Sequence, residues 1–192
     1  MKVVLIPCAS TEWHEAGRLL GRVELHATSA GEDRCCEWIG ELQTLGLAQL
    51  FHAPDDLATR TAKLLGRQLL VPTKAIDGLA EVDVGLWAGL TEDQLKSRYA
   101  SAHRELCESP LNVSPPGGES LGAADLRLKA FLKKQTKRGD NGPVGLVLRP
   151  VSFAMARCML EGRESKAVWE TAQHMEHPVV IDLDQQAVRT EH

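Results

Sequence analysis

A chain of 192 residues, 43% hydrophobic and 25% charged, with a formal net charge of −4, is long enough for one well-filled domain and short for two. That composition excludes a disordered or fibrous protein. The slight acidity argues against nucleic-acid and anionic-membrane surfaces, both of which need a positive field.

The apolar run that ends at Pro7 is too short for a signal peptide, and no later stretch approaches the roughly 20 apolar residues of a membrane span. Cytoplasmic residence is therefore expected. Cysteines stand at 8, 35, 36, 107 and 158, an odd number without paired zinc-type spacing. This predicts reduced thiols, no metal site and no cofactor.

In chain order, KVVLI (2 to 6) has the unbroken apolar character of a strand covered on both faces, and it breaks at Pro7 into small residues. A helix is predicted over 29 to 44, where Trp38, Ile39, Leu42 and Leu45 recur at helical spacing. A short strand AQLFHA (48 to 53), a helix over 55 to 67, a strand LLVP (69 to 72) and a helix over 91 to 104 follow. The segment SPLNVSPPGGES (109 to 120) is a Pro- and Gly-rich loop that opens a helix over 119 to 134. The run KKQTKRGDNGP (133 to 143) closes that helix with cations and turns through Gly139, Asp140 and Asn141. Strand VGLVLR (144 to 149), a helix over 151 to 161 and strand HPVVIDLD (177 to 184) complete the chain. The alternation favours a layered α/β sandwich formed as a single domain over 1 to 192.

In α/β proteins chemistry usually sits at the carboxyl ends of strands, yet Pro7, Cys8 and Ala9 offer one thiol and little else. TEW (11 to 13) with GR (17 to 18), TSAG (28 to 31), ATRTAKLLG (58 to 66), LAEVDVGLWAGLT (79 to 91), PPGGES (115 to 120) and VGLVLRPVSFAMARCMLEG (144 to 162) together resemble, in order and spacing, the histidine phosphatase superfamily, the phosphoglycerate mutase-like family. The resemblance implies a three-layer α/β/α sandwich with a mostly parallel central sheet, in which KVVLI and VGLVLR are adjacent central strands.

The family's chemistry needs a neutral imidazole to attack phosphorus. Two arginines and a second histidine neutralise the phosphoryl oxygens, and a carboxyl group protonates the leaving oxygen. Carried over residue by residue, the resemblance places Pro7 at the first arginine, Cys8 at the nucleophilic histidine and Ala9 at the glycine. Leu57 falls at the second arginine and Arg149 at the second histidine, with Pro150 and Val151 at the paired glycines. Only Glu81 is kept. Loss of both histidines and both arginines implies a catalytically inactive pseudoenzyme that binds a small-molecule ligand or a protein partner, with a homodimer among the options and neither nucleic acid nor membrane expected.

The remaining residues carry alternatives. Cys8 reads as a buried thiol or as a replacement nucleophile, although no arginine stands six positions on, where His14 lies instead. Thr11, His14, Glu81 and Arg149 are the binding candidates. Glu81 is a remnant acid or a group held by backbone donors; His14, at a position where the family often carries an asparagine, is expected to be a solvated loop residue. Arg149 either pairs with Glu81, the favoured arrangement, or binds an anion. With that pairing, Leu57 and Pro7 would add apolar wall to a pocket with little positive field. The tryptophans at 13, 38, 87 and 169 read as core or rim packing. An altered phosphomonoesterase using Cys8, or a water placed by Glu81 and His14, is the competing function, and a subunit that dimerises with an active relative is a third.

Overall fold

Strand β1 (Lys2–Pro7) buries every residue from Val3 to Pro7, as a strand covered on both faces must. In the computed structural model, which describes residues 1–136 and 142–184, it lies inside a five-stranded sheet. The other strands are β2 (Gln49–His52), β3 (Thr73–Ala75), β4 (Val144–Leu148) and β5 (Val179–Asp182), and the spatial order is β3-β2-β4-β1-β5. All neighbours are parallel except β5, which runs antiparallel to β1. As expected, β1 and β4 are adjacent, with Pro7 opposite Leu148.

The helices are α1 (Glu12–Glu15), α2 (Ser29–Glu37), α3 (Ile39–Thr44), α4 (Asp56–Leu69), α5 (Glu92–Arg98), α6 (Ala100–Glu108), α7 (Leu121–Thr136), α8 (Pro150–Glu161) and α9 (Ala167–Gln173). With the sheet they form a three-layer α/β/α sandwich. Helix α4 shows why these segments are helical. Asp55 caps it by accepting from Ala58 N–H at 3.0 Å, and Leu57, Ala58, Thr61, Ala62, Leu65 and Gly66 make one buried stripe at helical spacing.

Three sequence expectations are corrected. The run LLVP is no strand: Leu69 closes α4, Leu70 adopts the left-handed conformation at φ 57°, and pairing with β2 starts only at Thr73. Pro72 lacks the N–H that a ladder needs, so extended pairing begins after it. The helix expected over 29 to 44 divides at Trp38, which ends α2 and precedes α3 without a side-chain cap. The helix expected over 91 to 104 divides at Tyr99, which leaves helical dihedrals (φ −132°, ψ 47°) and sets its ring 5.8 Å from that of Trp87. The expected turn at 139 to 141 lies outside the described residues.

Two motif glycines have a steric reason. A Cβ on Gly85 would stand 2.3 Å from the Pro116 carbonyl oxygen, and one on Gly118 would stand 2.3 Å from the Asp83 carbonyl oxygen. The GLW and PPGGES segments therefore pack backbone against backbone, and this contact sets the loop that carries Glu81. Among the described residues no helix is long and apolar enough to cross a membrane.

Candidate ligand site at the carboxyl edge of the sheet

Because β2, β4 and β1 are parallel neighbours, their carboxyl ends deliver three chain segments to one edge. From β1 comes Cys8, whose N–H donates to the Leu148 carbonyl at 2.9 Å. From β4 comes Arg149, the residue preceding α8. After β2 comes Asp55, the cap of α4.

Arg149 is fully buried. Its guanidinium does not bind Glu81, contrary to the favoured expectation. Nη2 donates to the Val23 carbonyl at 2.9 Å, and Nη1 makes a long 3.4 Å contact with Asp55 Oδ1. Arg149 Nε and Asp55 Oδ2 have no partner. The guanidinium lies close enough to Cys8, His14 and Glu81 to act electrostatically on all three.

Glu81 is saturated by other donors. Its Oε1 accepts from Val82 N–H at 2.7 Å, Ser152 N–H at 2.9 Å and the Ser152 hydroxyl at 3.0 Å, and Oε2 accepts from Val151 N–H at 2.9 Å. With Pro150 at its first position, α8 has no N–H to offer there, and the next two N–H groups both go to this carboxylate. Burial raises the Glu81 carboxyl above its ordinary pKa, opposed by Arg149 and by the three backbone donors. The Glu81 backbone is held from behind: its carbonyl accepts from Arg22 Nε (2.8 Å) and Arg127 Nη2 (3.3 Å), and Glu119 bridges both arginines.

Cys8 is a buried thiol, pushed well above its ordinary pKa first by burial and then by Asp55. It is not ionised at neutral pH. Thr11 is also buried and caps α1 by accepting from His14 N–H at 3.4 Å. His14 itself is no solvated loop residue. It sits half-buried on α1, where its Nδ1 receives the Thr11 N–H at 3.1 Å. A backbone N–H can only donate, so the neutral ring carries its proton on Nε2, which is buried and without a partner. Burial, then Arg149, lowers the His14 pKa to about 4.

A stability prediction follows from this shift. An unfolded histidine titrates near 6.5, so between roughly pH 6.5 and 4 the unfolded chain binds the additional proton and folding stability falls with acidification. His14 is expected to contribute up to about 3 kcal/mol to that loss. Urea unfolding of wild type and His14→Gln across this window checks it: the variant should show the shallower slope, and identical slopes would contradict the shift.

A cavity of about 540 Å³ opens beside these groups. His14, Glu81, Pro150 and Val151 line it, whereas Pro7, Cys8, Leu57 and Arg149 do not. The expected apolar contribution of Leu57 and Pro7 is thus corrected: both belong to the core, Leu57 at 1% exposure. Trp38 and Trp87 are likewise core, and Trp169 forms part of the cavity wall. Sequence reasoning missed Asp55, the Val23 carbonyl and the α9 wall. Asp55 carries a helix-cap signal, but its pairing with a residue 94 positions away has no local signature. Among the described residues no group of three or more His, Cys, Asp or Glu is arranged to hold a metal ion.

The family description "Histidine phosphatase superfamily (branch 1)" matches residues 3–192. Phosphoserine phosphatase 1 of Hydrogenobacter thermophilus is 27% identical over 169 residues, covering 88% of this chain and 80% of that protein. The fold is similar to that of a mycobacterial glucosyl-3-phosphoglycerate phosphatase in complex with VO3, with a TM-score of 0.76 at 19% identity over 87% of this chain and 85% of that one. It is also similar to the alpha-ribazole phosphatase from Shigella flexneri, with a TM-score of 0.74 at 19% identity over 88% and 84% of the two chains.

Proposed function

This chain belongs to the histidine phosphatase superfamily, and on that premise we propose that it is a member without phosphoryl-transfer activity, acting through the binding of a small molecule or a protein partner. The observation that carries the reading is the fate of Arg149. The strongest cation at the site is fully buried, turned onto Asp55 and the Val23 carbonyl, and absent from the cavity wall.

Three further features support it. The α8 N–H groups suited to an anion are occupied by Glu81. Cys8 holds a protonated, buried thiol where the resemblance places the nucleophile. The His14 nitrogen that bears the lone pair faces the Thr11 N–H, so this imidazole presents a donor and not a nucleophile. Loss of a single electrostatic donor costs roughly 10² to 10³ in rate, and loss of the nucleophile dominates the rest.

A second reading, a phosphomonoesterase with altered catalysis, draws on the 27% identity to a protein named as a phosphatase and on the raised pKa of Glu81, a property that suits an acid catalyst. Phosphate release from p-nitrophenyl phosphate, O-phosphoserine and 3-phosphoglycerate, measured without metal between pH 5 and 8, separates the two. The expected rate equals the buffer blank. Turnover that stays with the protein through purification and disappears in Cys8→Ser or His14→Gln would establish the phosphatase.

A further inference from the structure

We infer that the cavity beside His14 takes an organic cation with an apolar body, the reverse of the phosphate-type anion that the fold's active members handle. The inference rests on the binding role proposed above and specifies its ligand class. At about 540 Å³ the cavity has the size of a small-molecule site. Its walls include Leu19, Leu20, Val84, Val151, Trp169 and Met175, which suit an apolar body.

Acidic side chains outnumber basic ones around the cavity. Glu15, Glu92 and Glu176 line it together with Arg18 and Arg34. Arg18 is tied to the Gly89 carbonyl at 2.6 Å. The Glu81 carboxylate is saturated by α8 and Val82, and the Arg149 charge is opposed by that of Asp55. The balance at the mouth is therefore acidic. His14 adds no positive charge, since it is neutral at pH 7.

One carboxylate is fixed in place. Glu92 accepts from Gln173 Nε2 at 2.8 Å and from the His103 ring at 3.1 Å. Burial works to raise its pKa, but these two bonds, together with the neighbouring Trp169 side chain, hold it below the ordinary value, so it is ionised at neutral pH. Gln173 and Trp169 lie one turn apart on α9, which brings the carboxylate to the same wall as the indole. An ionised carboxylate beside the apolar part of this wall suits a positively charged nitrogen carried on an apolar body.

The test uses three probes with one apolar body: 2-phenylethylamine, 2-phenylethanol and 3-phenylpropionate, titrated calorimetrically into the full chain. The amine should bind about tenfold more tightly than the alcohol, and the propionate more weakly than either. Added salt should weaken the amine alone. Glu92→Gln, which keeps an oxygen for Gln173, should bring amine and alcohol to within about twofold. Glu176→Lys, at an exposed position, should reduce the amine preference without touching the core. Equal or tighter binding of the alcohol or the propionate overturns the inference, as does the absence of saturable binding by all three up to about 10 mM. Phosphate turnover in the assay above would instead sink the non-catalytic reading and leave the charge preference to be read separately.

Discussion

Replacing Arg149 by methionine is expected to lower the unfolding free energy by about 3–5 kcal/mol, because the change leaves the Asp55 carboxylate facing a buried site with its counter-charge gone. The Val23 carbonyl also loses its 2.9 Å donor. For a chain of this size such a loss shifts the thermal midpoint by roughly 10 °C, a large share of the stability of an ordinary domain. The companion variant separates charge from packing. Asp55→Asn keeps an oxygen to cap α4 through Ala58 N–H, so the double variant Arg149→Met with Asp55→Asn should recover most of the loss, since removing both charges of a buried pair is far milder than removing one. Chemical denaturation of the two single variants and the double variant measures the coupling. If Arg149→Met were as stable as wild type, the guanidinium would not be the internal tie described here, and the chief support for a non-catalytic protein would go with it.

Glu81 gives the second large effect. In Glu81→Ala the N–H groups of Val82, Val151 and Ser152 lose their common acceptor, and only the Ser152 hydroxyl keeps another, the Ala80 carbonyl at 2.9 Å. At about 1–3 kcal/mol for each buried donor left unsatisfied, with water entering to relieve part of it, a loss of at least about 3 kcal/mol is expected. Glu81→Gln should fall between alanine and wild type. Its amide oxygen can keep the three donors at Oε1, while its NH2 meets the Val151 N–H, donor against donor, at a cost of about 1–3 kcal/mol. The order wild type, Gln, Ala in thermal midpoint is the expected outcome. A Gln variant indistinguishable from wild type in melting would show that the carboxylate is not needed as a clamp and would return Glu81 to the role of acid.

Much of the framework was legible in the sequence because it depends on local pattern. The apolar runs at 2 to 6 and 144 to 149 can be buried only as central strands, and parallel pairing follows from the helices between them. The motif glycines mark the backbone contact between the GLW and PPGGES segments. The proposed replacement of reactive residue types at Pro7, Cys8, Leu57 and Arg149 was likewise read from the sequence, through the family resemblance, since the chemistry depends on side-chain identity.

Partner choice was not legible. Whether the Arg149 guanidinium would meet Glu81, an anion or something else depends on which groups the folded chain places within a few ångströms, and Asp55 and Val23 arrive there only because β2, β4 and β1 end at one edge. The sequence equally could not give the protonated nitrogen of His14, which the Thr11 N–H decides, or the α9 wall that joins Glu92 to Trp169. Residue type and periodicity determine the elements and which side chains stand at the strand ends. Long-range distance, burial and hydrogen-bond geometry decide what the remaining charges hold, because an electrostatic interaction depends on separation and desolvation, and neither is a property of local sequence.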